Sequence, residues 1–258
     1  MTESKKPFVI LIDTNAMAAL SLYVESCTTV GANLGTTIEE LKEKFEKIKC
    51  INKEYLKDYL YFGEKGGIKD GYKLFKYLRI KREEFDNIQI WFSQLSEIEL
   101  LNVFLDRTFD RELTRKGIPY RIRRKKPFRT QIDFNYEEEI TKNWEDIKEK
   151  LSEQGIEFEN PEKESDAIQD IIKVAKIVTQ YVALEPVDLY LYASAVYLRA
   201  DEIYTHDKEF RTIINKILTD NEWRNIYNNV QQDLRKCTPS FEKEYEVENR
   251  IALPKGVS

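Results

Sequence analysis

Histidine is almost absent from this chain, for His206 stands alone. A mechanism needing two imidazoles is therefore excluded, and a histidine-based metal site has too few ligands. Cysteine is scarce too. Cys27, Cys50 and Cys237 are odd in number, far apart and without Cys-x-x-Cys spacing, so neither a disulfide framework nor a zinc motif is indicated. Long hydrophobic runs are missing: no stretch approaches the roughly 20 consecutive apolar residues of a membrane span. Met1 to Pro7 carries no apolar signal core. A soluble, cytoplasmic protein without membrane contact is expected. Excess positive charge is lacking as well, since the formal net charge is -5. Any active site must then rest on carboxylates.

The charge that is present is unevenly spread. From Arg107 to Arg129 the sequence reads RTFDRELTRKGIPYRIRRKKPFR, where basic residues far outnumber Asp110 and Glu112. Gly117, Pro119 and Pro127 interrupt this segment, which is expected to break helical continuity as a loop or a hairpin on YRIRR. A charge run of this kind is ordinarily a solvated face. Arginines interleaved with Tyr120 and Phe128 also suit a surface that tracks phosphates and stacks on bases, with Arg121, Arg123, Arg124, Lys125 and Lys126 as the contacting residues.

Phe8 to Ile12 is a continuous apolar run, the pattern of a strand covered on both faces in a parallel sheet. IQIWF, residues 88–92, reads as a second strand and feeds the helical periodicity of Leu95 to Leu105. TTIEELKEKFEKI opens with a capping box and spaces Ile38, Leu41, Phe45 and Ile48 as a helix. Further helices are expected at Lys53 to Phe62, over YKLFKYLRI after a glycine-bearing break EKGGIKDG, and from Tyr136 to Gln154, ended by Gly155. Residues 166–182, the stretch opened by Pro186, and residues 209–218 and 221–236 complete the helical set. DEIYTHD reads as a strand, and RIALP as one in the polar tail. Strands alternating with helices imply an α/β fold with a central parallel sheet. The 258 residues are read as one domain carrying a helical insertion at about 25–87 and a basic and helical insertion at about 106–165.

In open parallel sheets, ligands sit outside the carboxyl ends of the strands. Asp13 ends the first strand and Asp207 the strand IYTH; Asp188 lies in the first turn of a helix and Glu99 in the helix after IQIWF. Four carboxylates from distant parts of the chain are thus expected to meet at one edge of the sheet. Taken singly, each has a plainer reading: Asp13 and Asp188 as helix caps, Glu99 as a solvated residue, Asp207 as a turn residue.

Taken together, the motifs resemble those of PIN-domain nucleases. IDTN, with Asp13, Thr14 and Asn15, is similar to the first family motif, and SQLSEIEL to the second, in a register that selects Glu99 over Glu97. DLYLYASAVYLRADEIYTHDKEFR resembles the third and fourth, placing Asp188, Thr205, Asp207 and Glu209. The resemblance covers about half of the chain and implies a PIN-like α/β/α sandwich. Toxin-type members are smaller, so the substrate is not carried over with the core.

Clustered carboxylates repel one another unless hard cations neutralise them, and oxygen ligands suit Mg²⁺ or Mn²⁺. On this reading Asp13, Glu99, Asp188 and Asp207 are catalytic metal ligands, with Glu209 as a further ligand, while Asn15, Ser93 and Thr205 orient them by hydrogen bonding. His206 is taken as incidental. The resemblance implies a metal-dependent endoribonuclease acting on single-stranded RNA and leaving 5′-phosphate and 3′-hydroxyl ends, as a toxin or defence effector. A homodimer, and an antitoxin or other regulatory protein as partner, are implied likewise. The alternatives are a DNA nuclease of the same type and a non-catalytic RNA-binding module.

Overall fold

The computed structural model describes residues 7–48, 67–116, 136–163, 166–180, 182–198 and 200–219. Outside them lie the expected helices at 53–62 and 221–236, the YRIRR hairpin with Arg121, Arg123, Arg124, Lys125 and Lys126, and the RIALP strand. The chain forms two compact units, Met1–Thr14 with Ile80–Glu97 and Phe158–Ser258, and Asn15–Arg79 with Ile98–Glu157. Residues 25–79 and 106–157 of the expected insertions fall in the second.

The first unit holds a four-stranded sheet of order β3-β2-β1-β4. Its strands are β1 (Phe8–Ile12), β2 (Ile88–Trp91), β3 (Phe158–Glu159) and β4 (Glu202–Tyr204). All pairings are parallel. The apolar run of β1 has the consequence expected of it: with a strand on either side, Ile10, Leu11 and Ile12 are fully buried. Val9 and Leu11 point to one face, where they join α6 (Ala167–Val178), α7 (Pro186–Leu198) and α8 (Lys208–Thr219) in a core with Val174, Leu191, Ile203 and Phe210. Ala193 and Ala195, both buried, keep α7 slim where it packs. β3 was not expected. Two residues show no alternation, and only the ladder to Ile90 and Trp91 defines the strand.

The second unit is helical. Most of α1 (Thr14–Thr29) lies at its centre, followed by α2 (Ile38–Lys47), most of α3 (Ile68–Glu84) and of α4 (Gln94–Arg115), and α5 (Tyr136–Glu153). α1 is apolar nearly all round, as a buried helix must be, with Met17, Leu20, Tyr23 and Cys27 inside. Its buried Ser21 and Ser26 satisfy their hydroxyls on the Ala18 and Leu22 carbonyls at 2.8 and 2.6 Å. α2 begins with the capping box of Thr37 and Glu40 and buries Ile38, Leu41 and Phe45, as its spacing implied. α5 buries Trp144, Ile147 and Leu151 and ends at Gly155, whose φ of 67° is left-handed.

Two expectations are corrected here. Gly71 belongs to α3 rather than to a break before it: a Cβ at this position would stand 2.0 Å from the Ala19 carbonyl oxygen, so glycine lets two helix backbones touch. The basic segment also does not open as a loop, because residues 107–115 continue α4. Arg107 is spent internally, donating to Ser21 Oγ at 3.0 Å and to the Ala18 carbonyl at 2.7 Å. Arg111 reaches Glu25 at 3.9 Å. Among the described residues no helix is long and apolar enough to cross a membrane.

Candidate functional site

Because the strands are parallel, their carboxyl ends gather along one edge. The chain runs from β1 outward to β2 and β3 and then returns to β4 on the other side of β1, so the strand order reverses between β1 and β4. Such a switch point is where open α/β sheets bind ligands. Asp13 follows β1, and Thr205 to Asp207 follow β4.

The two strand ends are joined by polar bonds. The Asp13 amide extends the ladder by one step, donating to the Tyr204 carbonyl at 3.0 Å. Thr205 then engages both acids: its hydroxyl donates to Asp13 Oδ2 at 2.6 Å and accepts from the Asp207 amide at 2.9 Å. Thr205 and Asp13 are 5% and 7% exposed, which shields this short, charge-assisted bond from water. Asp207 caps α8, its Oδ1 accepting from the Glu209 and Phe210 amides at 2.7 and 3.0 Å. Oδ2 of Asp207 accepts no hydrogen bond among the described residues. The plain turn-residue reading and the ligand reading of Asp207 are therefore compatible, one oxygen serving each.

Asp188 is the third residue of α7, behind Pro186 at the first. Leu191 and Tyr192, three and four positions on, are 2% and 3% exposed. The half-buried Asp188 thus heads the stripe of α7 that faces the sheet. Since α7 leads into the amino end of β4, its first turn belongs to the carboxyl edge.

Other expected residues are placed differently. Ser93 follows β2 and caps α4, accepting from the Ser96 amide at 3.1 Å and donating to the Ser96 hydroxyl at 3.0 Å; its hydroxyl serves the helix end. Glu97 and Glu99 lie on opposite flanks of the buried stripe of Ser96, Leu100 and Phe104 and are both partly buried, so burial prefers neither register. Glu99 belongs to the second unit. Asn15, the second residue of α1, is partly buried, Glu209 is exposed, and His206 sets its ring edge-on to Tyr204 at 5.5 Å.

One carboxylate at this edge was missed. The turn after β3 buries Glu162 to 7% exposure. Its Oε2 accepts from the Gln94 amide at the start of α4 at 3.1 Å, and its Oε1 from the Tyr190 hydroxyl of α7 at 2.9 Å. Burial, with the nearby Glu162 charge second, pushes the Tyr190 phenol far above its ordinary range, so Tyr190 acts only as a neutral hydroxyl. The signal was the Asn160-Pro161 pair, a turn initiator directly before the acid.

Among the described residues no three of His, Cys, Asp and Glu are grouped closely enough to hold a metal ion. Mg²⁺ is usually held by one or two carboxylates, with water and substrate phosphate completing its shell. Asp13, fixed by a buried hydroxyl, and the outstanding Oδ2 of Asp207 are hard oxygen donors of the kind this ion requires. Comparison with protein-family models, curated proteins and solved structures gives no match.

Proposed function

We propose that this chain is a metal-dependent nuclease of PIN type that cleaves single-stranded RNA. The observation that carries the reading is the Thr205 hydroxyl, which ties Asp13 to the Asp207 turn across 192 residues of sequence at the switch point of a parallel sheet. A structural turn needs no buried carboxylate there. Burying one incurs a desolvation cost.

In this reading Asp13 and Asp207 would hold Mg²⁺ or Mn²⁺ at the carboxyl edge, and Asp188, Glu99 and Glu209 enter through the resemblance alone. A divalent ion held by such residues supplies charge neutralisation at the scissile phosphate and activation of the attacking water. Thr205 holds the Asp13 carboxylate in one orientation, so its geometry is set before substrate arrives. Asp207 is fixed through its cap, which turns a flexible side chain into a rigid ligand. Arg121, Arg123, Arg124, Lys125 and Lys126 supply cations for the RNA backbone. The choice of RNA, and the 5′-phosphate and 3′-hydroxyl products, rest on the resemblance.

The test uses end-labelled single-stranded RNA and DNA of matched sequence with the wild-type chain and Asp188→Asn, in Mn²⁺, Mg²⁺ or EDTA. Metal-dependent cutting of RNA by the wild type alone is expected. Cutting confined to DNA transfers the activity to that substrate. RNA that is bound yet intact under every metal overturns catalysis in favour of a binding module.

A further inference from the structure

Arg211 stands apart from the other arginines whose side chains are described. Arg79, Arg82, Arg107 and Arg111 each have a partner, whereas the Arg211 side chain makes no hydrogen bond or ion pair among the described residues. Its Nε is buried all the same and finds no acceptor. A charged donor withdrawn from water without a replacement is a costly arrangement, and one that a bound anion relieves.

A carboxylate at the right spacing is present and is not taken. Arg211 follows Asp207 by four residues, and its amide donates to the Asp207 carbonyl at 3.2 Å. An acid four positions ahead of a base is the favoured order for a helical ion pair, yet this pair does not close. Asp207 is turned into its cap, with Oδ1 on the Glu209 and Phe210 amides. Arg211 lies half-buried on the flank of the stripe formed by Phe210 and Ile214, which are 1% and 0% exposed.

The exposed Lys208 stands about 60° from Arg211 around α8 and Glu209 about 160° away, so the two cations share a face that the nearer glutamate does not. Side chains lean toward the amino end of their helix. Lys208 and Arg211 therefore reach toward the start of α8, where the helix dipole is positive as well. A planar fork of donors takes phosphate oxygens two at a time.

We infer that Arg211 is a nucleic-acid-binding residue that grips a backbone phosphate of single-stranded RNA at the start of α8, beside Asp207. The identity of the anion rests on the nuclease reading above. Binding is separated from cutting by working with the full chain in EDTA. Affinity for a labelled single-stranded RNA is measured over a series of salt concentrations for the wild type, Arg211→Met and Arg211→Lys.

Arg211→Met keeps an apolar stem and should bind roughly tenfold more weakly. It should also flatten the slope of log affinity against log salt by about 0.7, the share of one phosphate contact on a single strand. Arg211→Lys retains the charge without the fork, so the slope should stay while affinity falls severalfold. An arginine that serves packing alone would leave the slope where it is. An unchanged slope in Arg211→Met therefore overturns the inference and leaves the nuclease reading untouched. Should that variant fail to fold, the Arg211 Nε–H resonance of the wild type decides: inorganic phosphate is expected to shift it, and a resonance that stays in place overturns the contact. If the wild type cuts no RNA under any metal while the dependence on Arg211 holds, the nuclease reading falls and the phosphate contact stands.

Discussion

Two pairs of acids at opposite ends of the sheet, Glu84 with Glu202 and Asp207 with Glu162, are held in opposite ways. At the amino end, Phe8 and Phe85 stack at 4.1 Å, and Lys81 Nζ sits 5.0 and 5.4 Å from their ring centres. The same ammonium lies 3.2 Å from Glu84 and 3.6 Å from Glu202. At the carboxyl end, Asp207 and Glu162 are held by amides and a phenol, with no cation among the described residues. Acids of the first kind share one ammonium. Acids of the second kind are fixed in place with their charge outstanding, which is the condition a divalent cation exploits.

The same chemical change made at each end should therefore have unlike results. Asp13→Asn retains an oxygen for the Thr205 hydroxyl, so the fold should survive. Cleavage at fixed Mn²⁺ should fall on the order of a thousandfold, as loss of a ligand worth several kcal/mol implies. Near-normal turnover by this variant would break the comparison at its strongest point. Thr205→Val comes next. It deprives Asp13 of a donor and the Asp207 amide of an acceptor, with an expected cost of about 1 to 3 kcal/mol in urea unfolding. Its rate should drop between roughly tenfold and a hundredfold, and Thr205→Ser should restore most of both.

These contrasts were partly legible beforehand, and the reason is local. FVILI declares a strand buried on both faces because nothing polar interrupts it, and Pro186 marks the start of α7 because its missing amide is harmless there. The order of Asp13, Asp188, Thr205 and Asp207 along the chain was likewise readable. Glu162 was not, since its partners Gln94 and Tyr190 lie 68 and 28 residues away and no local pattern announces them. Gly71 looked like any helix breaker. Only the approach of α1, which puts the Ala19 carbonyl where a side chain would be, reveals its purpose. The extension of α4 through Arg107 depended in the same way on acceptors in α1.

Asp201 tests the amino end without touching the proposed chemistry. Its amide donates to the Val9 carbonyl and its Oδ2 accepts from the Val9 amide, both at 2.8 Å. Asp201→Ala should lose about 2 kcal/mol of stability, the usual value for a hydrogen bond to a charged group. Metal-dependent cleavage per folded molecule should be unchanged, and a matching loss of activity would deny the separation between the two ends.

The smallest effect concerns Glu202, and its sign is informative. Burial pushes its carboxyl from 4.5 up to about 7. Burial outweighs Lys81, whose charge is shared with Glu84 and with two aromatic faces. With a folded-state value above the unfolded one, the native protein holds the extra proton between about pH 4.5 and 7. The associated stability is fully present below that window and is lost as pH rises through it. Glu202→Gln cannot ionise, so it should flatten this segment of the stability profile. At pH 8 it should be the more stable form by about 1 kcal/mol, the scale of a single-group linkage once the weak Lys81 pair is given up. Urea unfolding of both proteins at pH 5 and pH 8 measures it. A Glu202→Gln variant that is instead weaker at pH 8 would mean that the lysine outweighs burial, making cation pairing at the amino end stronger than its 3.6 Å separation suggests. The contrast with Asp207 and Glu162 would then be sharper still.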